Sequence, residues 1–187
     1  SRASRDPERV CNQIEDILRS TLERIGSAGY RDLSQTTLGI ARIVKSVEGK
    51  WFPKGSLQQS LCDLLVGNAG ENKDFVFNKL AAAAVPILHE FDARHLSNLT
   101  YAFGLAECVL KFDDGSTIFD VLADAALPNL CEFNSQGLAN MLWAYGSVEM
   151  RNRELLEAAG DAIITNDDLD TFKPQALANI VWAYATL

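Results

Sequence analysis

The chain has 187 residues, 48% of them hydrophobic, and a net charge of −8. This composition excludes a disordered tail, and no apolar run approaches the roughly 18–20 residues that span a bilayer, so membrane insertion is not expected. Charge is uneven: residues 1–60 hold ten Lys or Arg against seven Asp or Glu, and the remaining 127 hold seven against eighteen. Such an acidic balance excludes indiscriminate phosphate binding, which depends on Lys and Arg displacing counterions.

In chain order, the Ser/Arg-rich opening Ser1–Arg5 is similar to the remainder of an organelle transit peptide, or marks a chain boundary. Residues 7–26 place Val10, Ile14, Leu18, Leu22 and Ile25 at helical spacing, predicting an amphipathic helix ended by Gly26. With residues 1–29 this makes a leading, incomplete repeat. After it, one twelve-residue phrase recurs: Phe91–Ala102, Phe133–Ala144 and Phe172–Ala183, with a degraded copy at Leu33–Val44. The starts lie 58, 42 and 39 residues apart, and self-similarity near 40 residues is the signature of a stacked repeat array. The chain therefore divides into repeat 1 (30–90, with an inserted helix at Ser56–Val66), repeat 2 (91–132), repeat 3 (133–171) and a truncated repeat 4 (172–187). No segment has a strand pattern. The expectation is an all-α chain, an α-solenoid of stacked antiparallel helix pairs with about four repeats. The last helix pattern is still running at Leu187, so the array is expected to continue.

The phrase is a helix start. Its second position is Ser34, Asp92, Asn134 and Lys173; the first three are good N-caps, and Pro174 follows the fourth at the first helical position. Leu33, Phe91, Phe133 and Phe172 stand before the cap, and Leu38, Leu96, Leu138 and Leu177 five residues on, the spacing of a hydrophobic staple. Beyond the cap the helices are apolar nearly all round, with Asn140, Ala144 and Ser147 as the one polar or small band, and Trp143 falls among the core positions. A helix apolar on most sides is buried on several. The partner helices follow: Asp74 opens 75–85, Ser116 opens 117–127 and Asn152 opens 153–164, with Pro86 and Pro128 ending the first two. Cys11, Cys62, Cys108 and Cys131 are scattered without a C-x-x-C pair and read as small core residues rather than a disulfide framework.

Phe172-Lys173-Pro174-Gln175-Ala176-Leu177-Ala178-Asn179 with Trp182-Ala183-Tyr184, and nearly as well Phe133–Tyr145, resembles the octotricopeptide-type repeats and their relatives in RAP-domain and FAST-kinase-like proteins. The resemblance covers about residues 30–187. It implies single-stranded RNA binding in a chloroplast or mitochondrion, in transcript stability, processing, translation or ribosome assembly. One-repeat-per-nucleotide solenoids of this kind face bases with a few side chains of successive inner helices.

Candidate RNA-binding residues follow from recurrence and position. Asn98, Asn140 and Asn179 recur in the inner helices, with Ile40 in the degraded copy. They read either as amides contacting bases or as a ladder in which each bonds the backbone of a neighbouring helix. Thr36, Arg94, Gln136 and Gln175 vary two residues after the cap, where anions are favoured; a solvated first turn is the alternative. Arg42 and Lys45 place two positive charges on the first inner helix, to hold phosphate or as a solvated edge. His89 and His95 have no triad or metal partner in the sequence, and Asp113-Asp114-Gly115 and 166–170 lack EF-hand ligand spacing and read as turns. No P-loop, GxGxxG, GxSxG or HExxH occurs. The expectation is a non-enzymatic module with no metal, no cofactor and no small-molecule substrate. The rival partner is another protein, with the array as scaffold or auxiliary subunit of an organellar complex; acidity favours that rival.

Overall fold

A computed structural model describes residues 7–47, 74–165 and 172–187. The described residues form eight α-helices: α1 (Pro7–Arg24), α2 (Tyr30–Val47), α3 (Asp74–Ala84), α4 (Ala93–Leu105), α5 (Ile118–Ala126), α6 (Ser135–Ser147), α7 (Arg153–Thr165) and α8 (Pro174–Thr186). Their only extended pairing is an isolated antiparallel bridge between Lys111 and Thr117. The fold is thus all-α. The expected inserted helix and the acidic link 166–170 lie outside the described residues.

Capping chemistry sets the helix starts. The Asp92 and Asn134 side chains each accept from the amide three residues on, His95 and Gly137, at 2.8 Å. Asn152 does the same for Leu155. Thr117, one residue after the expected Ser116, caps α5 through a capping box with Asp120. Lys173 makes no cap bond, and Pro174 carries the start of α8. Pro86 and Pro128 do not end their segments outright. Each begins a 3₁₀ stretch, Val85–Glu90 and Leu127–Glu132, kinked at Ile87 and Asn129, which delivers Phe91 and Phe133 to the next cap.

α2, α4, α6 and α8 pack one on the next in a row, while α1, α3, α5 and α7 lie along a second layer with the 3₁₀ segments between them. Equivalent residues meet across the row. Ser97 Oγ donates to the Gly137 carbonyl near the helix starts, and Ser147 Oγ donates to the Gly104 carbonyl near the ends. α4 and α6 therefore run in the same direction. The seam between them is small-on-small: Gly104 sits on Ala144, and one repeat later Gly146 sits on Ala183.

The first copy is in a different register from the one its leucines suggest. Ser34 lies inside α2, fully buried, and Gly29 precedes the helix instead. Thr37 Oγ1 bonds the Leu33 carbonyl as Thr100 Oγ1 bonds that of Leu96, and Ser34 and Ser97 are both buried. Leu33-Ser34-Gln35-Thr36-Thr37 thus matches Leu96-Ser97-Asn98-Leu99-Thr100, an offset of 63 residues rather than 58. Leu33 fills the place of Leu96 and not that of Phe91, a slot its apolar side chain also suits.

Phe91, Phe133, Phe172, Leu96 and Leu138 are buried as expected. Leu177 is not: among the described residues no further helix packs on α8, and Leu177 and Val181 are 39% and 68% exposed where Leu138 and Leu142 are buried. Cys108 is buried, whereas Cys131 is exposed at the end of a 3₁₀ stretch rather than in the core.

Candidate nucleic-acid interface

Each of the two central row helices is buried on every side but one. In α6 the exposed or half-buried positions beyond the first residue are Gln136, Asn140, Trp143 and Ser147; in α4 they are Arg94, Asn98, Tyr101 and Leu105, with His95 beside them. These spacings of four, three and four residues trace one stripe along a helix. The same positions are Gln175, Asn179, Trp182 and Thr186 in α8. In the corrected register they are Arg31, Gln35, Leu38 and Arg42 in α2, of which Leu38 is buried. Ring contacts join the stripes sideways: Tyr101 and Trp143 have centroids 5.0 Å apart, Trp143 and Trp182 6.4 Å.

The composition of this surface is distinctive. Its sixteen positions hold three arginines, six side-chain amides and three aromatics, and no carboxylate. Most of the acid lies elsewhere: Asp120 and Asp124 on α5, Glu154, Glu157 and Asp161 on α7, and Glu107 and Glu149 beyond the ends of α4 and α6, while Asp32 on α2 and Asp92 beside His95 border the stripe. An acidic chain therefore presents a face that is locally neutral to basic, and the net charge says little about what this face attracts.

The candidate residues divide on inspection. Asn140 Oδ1 accepts from Gln136 Nε2 at 2.8 Å, and Asn179 Oδ1 from Gln175 Nε2 at 3.1 Å. The amides thus pair along their own helix, and the bonds between helices that a ladder required are made by Ser97 and Ser147 instead. Asn98 and Arg94 hold the matching places in α4, half-buried and exposed. Arg42 lies on the stripe, exposed. Lys45 does not: its Nζ sits 2.8 Å from Glu107 Oε1, tying α2 to the end of α4. Thr36 and Ile40 leave the site with the register correction, Ile40 being buried, and Arg31 and Gln35 take their places. Ala144, grouped with the polar band in the sequence, is buried in the seam, because Gly104 lies against it.

Trp143, expected in the core, is half-buried on the stripe, and Tyr101 and Trp182 share its position. The signal that would have found all three is plain: an aromatic stands three residues after the recurring Asn in every clear copy. Arg31 stacks its guanidinium 5.5 Å over the Tyr30 ring and donates to the Tyr30 hydroxyl.

His95 is set by its cap. Its Nδ1 lies 2.6 Å from Asp92 Oδ1 and its ring meets Tyr30 edge-on at 5.1 Å. Partial burial works against the Asp92 carboxylate, but the His95 amide and ring together outweigh it and hold the group below its ordinary value. His89 is exposed beside Glu90. Among the described residues no three His, Cys, Asp or Glu side chains are grouped to hold a metal, and no helix is long and apolar enough to cross a membrane. Asp114 bonds the amide and hydroxyl of Ser116, and Gly115 takes φ +87°, so Asp113-Asp114-Gly115 is a turn between α4 and α5.

No protein-family model matches the chain, and no curated protein matches it at a significant level.

Proposed function

We propose that the chain is an α-solenoid of the octotricopeptide type, stacked antiparallel helix pairs whose inner-helix face binds single-stranded RNA without catalysing a reaction. The observation that carries this reading is the carboxylate-free stripe, in which an amide repeats on four adjacent helices and is followed by a partly exposed aromatic on three of them. Unpaired bases are recognised by just these means: stacking on aromatic faces and hydrogen bonds to exposed edges. Arg31, Arg42 and Arg94, at the α2 and α4 end, supply charge for phosphate. An organellar setting rests on the family resemblance.

The test is binding of a single-stranded oligoribonucleotide at several salt concentrations. With about three phosphate contacts the log–log slope should be modest, near −2. Replacing the three arginines by Gln should flatten it, while Gln136→Ala or Gln175→Ala should alter sequence preference more than overall affinity. Absence of binding at low salt would overturn the reading.

One observation favours the rival, a protein scaffold. An open groove of about 410 Å³ between α7 and α8 is lined mostly by the apolar Leu156, Ile163, Ile164, Ile180 and Tyr184. A protein partner on that side does not compete with RNA on the stripe.

A further inference from the structure

We propose that the Trp143–Trp182 step is a stacking site for one unpaired nucleobase, its edge met by the Asn140 and Asn179 amides; this rests on the RNA reading above. The two aromatic steps on the stripe differ in geometry. Tyr101 and Trp143 are closed on each other, 5.0 Å apart with planes inclined at 44°. Trp143 and Trp182 are 6.4 Å apart with planes only 31° from parallel.

Planar carbon groups in contact lie about 3.5 Å apart, so a base held between two rings separates them by roughly 7 Å. The centroid distance of the second step approaches that separation, whereas that of the first falls about 2 Å short of it. The ring that must move is also the freer one. Trp182 is 44% exposed, and its Cζ3 lies over Gly146, where a β-carbon would come within 2.9 Å of it. Gly146 leaves room for this edge of the indole against α6.

The polar groups stand where a base edge would reach. Each Asn is one turn before its Trp, and each amide oxygen is engaged by the Gln four residues earlier. That leaves the Asn N–H groups as the donors offered to a ring nitrogen or carbonyl of a base. The ring pair, which offers faces and no charge, makes the ligand an unpaired base rather than a phosphate, with purines favoured by their larger stacking area.

The experiment compares an oligoadenylate of about a dozen nucleotides with an abasic ribose–phosphate strand of equal length, by fluorescence anisotropy at low salt. The oligoadenylate should bind about tenfold more tightly or better, the scale of one base–aromatic stack. Trp182→Leu should erase that preference and leave the salt slope unchanged, and Trp182→Phe should restore most of it. Trp143→Tyr, which copies the residue at Tyr101, should weaken the preference without loss of fold. Equal binding of the two strands, or a preference that survives Trp182→Leu, overturns the stacking site while the RNA reading stands on its phosphate contacts. Failure of both strands to bind removes the RNA reading, and the stacking site with it.

Discussion

Gly104 and Ala144 meet backbone to backbone: a β-carbon on Gly104 would lie 2.6 Å from both Cα and Cβ of Ala144. The row of helices is spaced by this contact, because neither side has an atom that can move away. Gly104→Ala should therefore cost about 1–3 kcal/mol by overpacking, despite the gain of nearly 1 kcal/mol that Ala brings to a helix interior. Gly146→Ala meets the flexible edge of Trp182 at 2.9 Å and Ala183 Cα at 3.3 Å, and should cost less. Gly39→Ala in α2 meets nothing within 4 Å and should stabilise by about 0.5–1 kcal/mol. Urea denaturation of the three variants checks the order, and a Gly104→Ala protein as stable as the parent would refute it.

α8 begins with the weakest cap in the row. Asp92 and Asn134 each satisfy a first-turn amide, whereas Lys173 bonds none and places a positive charge at the positive end of the helix. Lys173→Asn should raise stability by about 0.5–1.5 kcal/mol, while Asn134→Ala should lower it by about 1 kcal/mol. Thermal unfolding of both, with opposite displacements of Tm, is the check.

Much of this architecture is legible in the sequence because caps, staples and small residues recur at fixed offsets. Asp92, Asn134, Phe91 and Phe133 stand where their types require. What the sequence did not yield has physical causes. The first copy slipped in register because Leu33 fits two leucine-like slots, and only the Thr37–Leu33 bond, matched by Thr100–Leu96, decides between them. Trp143 was placed in the core because helical angle alone cannot tell a packed indole from one lying on the surface. Leu177 was expected to be buried like Leu138, but position in the row outweighs residue type where no further described helix packs on α8.

Glu107 and Glu149 end α4 and α6 with φ of +50° and +55°, the left-handed conformation that glycine adopts without a β-carbon penalty. Glu149→Gly should stabilise by about 0.5–1 kcal/mol, since relief of the penalty exceeds the added freedom of the unfolded chain. Glu107→Gly should gain less, because it also removes the exposed partner of Lys45, a contact worth about 0–1 kcal/mol. No gain in the urea midpoint from Glu149→Gly would show that the left-handed turn carries no strain, and equal gains from both variants would show that the Lys45 contact adds nothing.

Tyr145 lies fully buried in α6, edge-on to the Phe119 ring, and its hydroxyl donates to the Phe119 carbonyl. Tyr145→Phe leaves that carbonyl without its donor and should cost about 1–3 kcal/mol at neutral pH. Tyr184, which bonds the Leu156 carbonyl at an exposed site, should lose little on the same change. Burial first, and then the Asp120 and Asp124 carboxylates, push the Tyr145 hydroxyl far above its ordinary value. In the unfolded chain the same group ionises near pH 10. Above that pH the unfolded state releases a proton that the folded state keeps, so the contribution of Tyr145 is complete below about pH 10 and is lost as pH rises, by up to about 1.4 kcal/mol per unit. Burial and Asp161 raise Tyr184 as well, adding loss of the same sign. Urea unfolding followed from about pH 8 to 11 should show stability falling more steeply in the parent than in Tyr145→Phe, so that the gap between them narrows. Parallel curves would mean that water reaches the Tyr145 hydroxyl in the folded state.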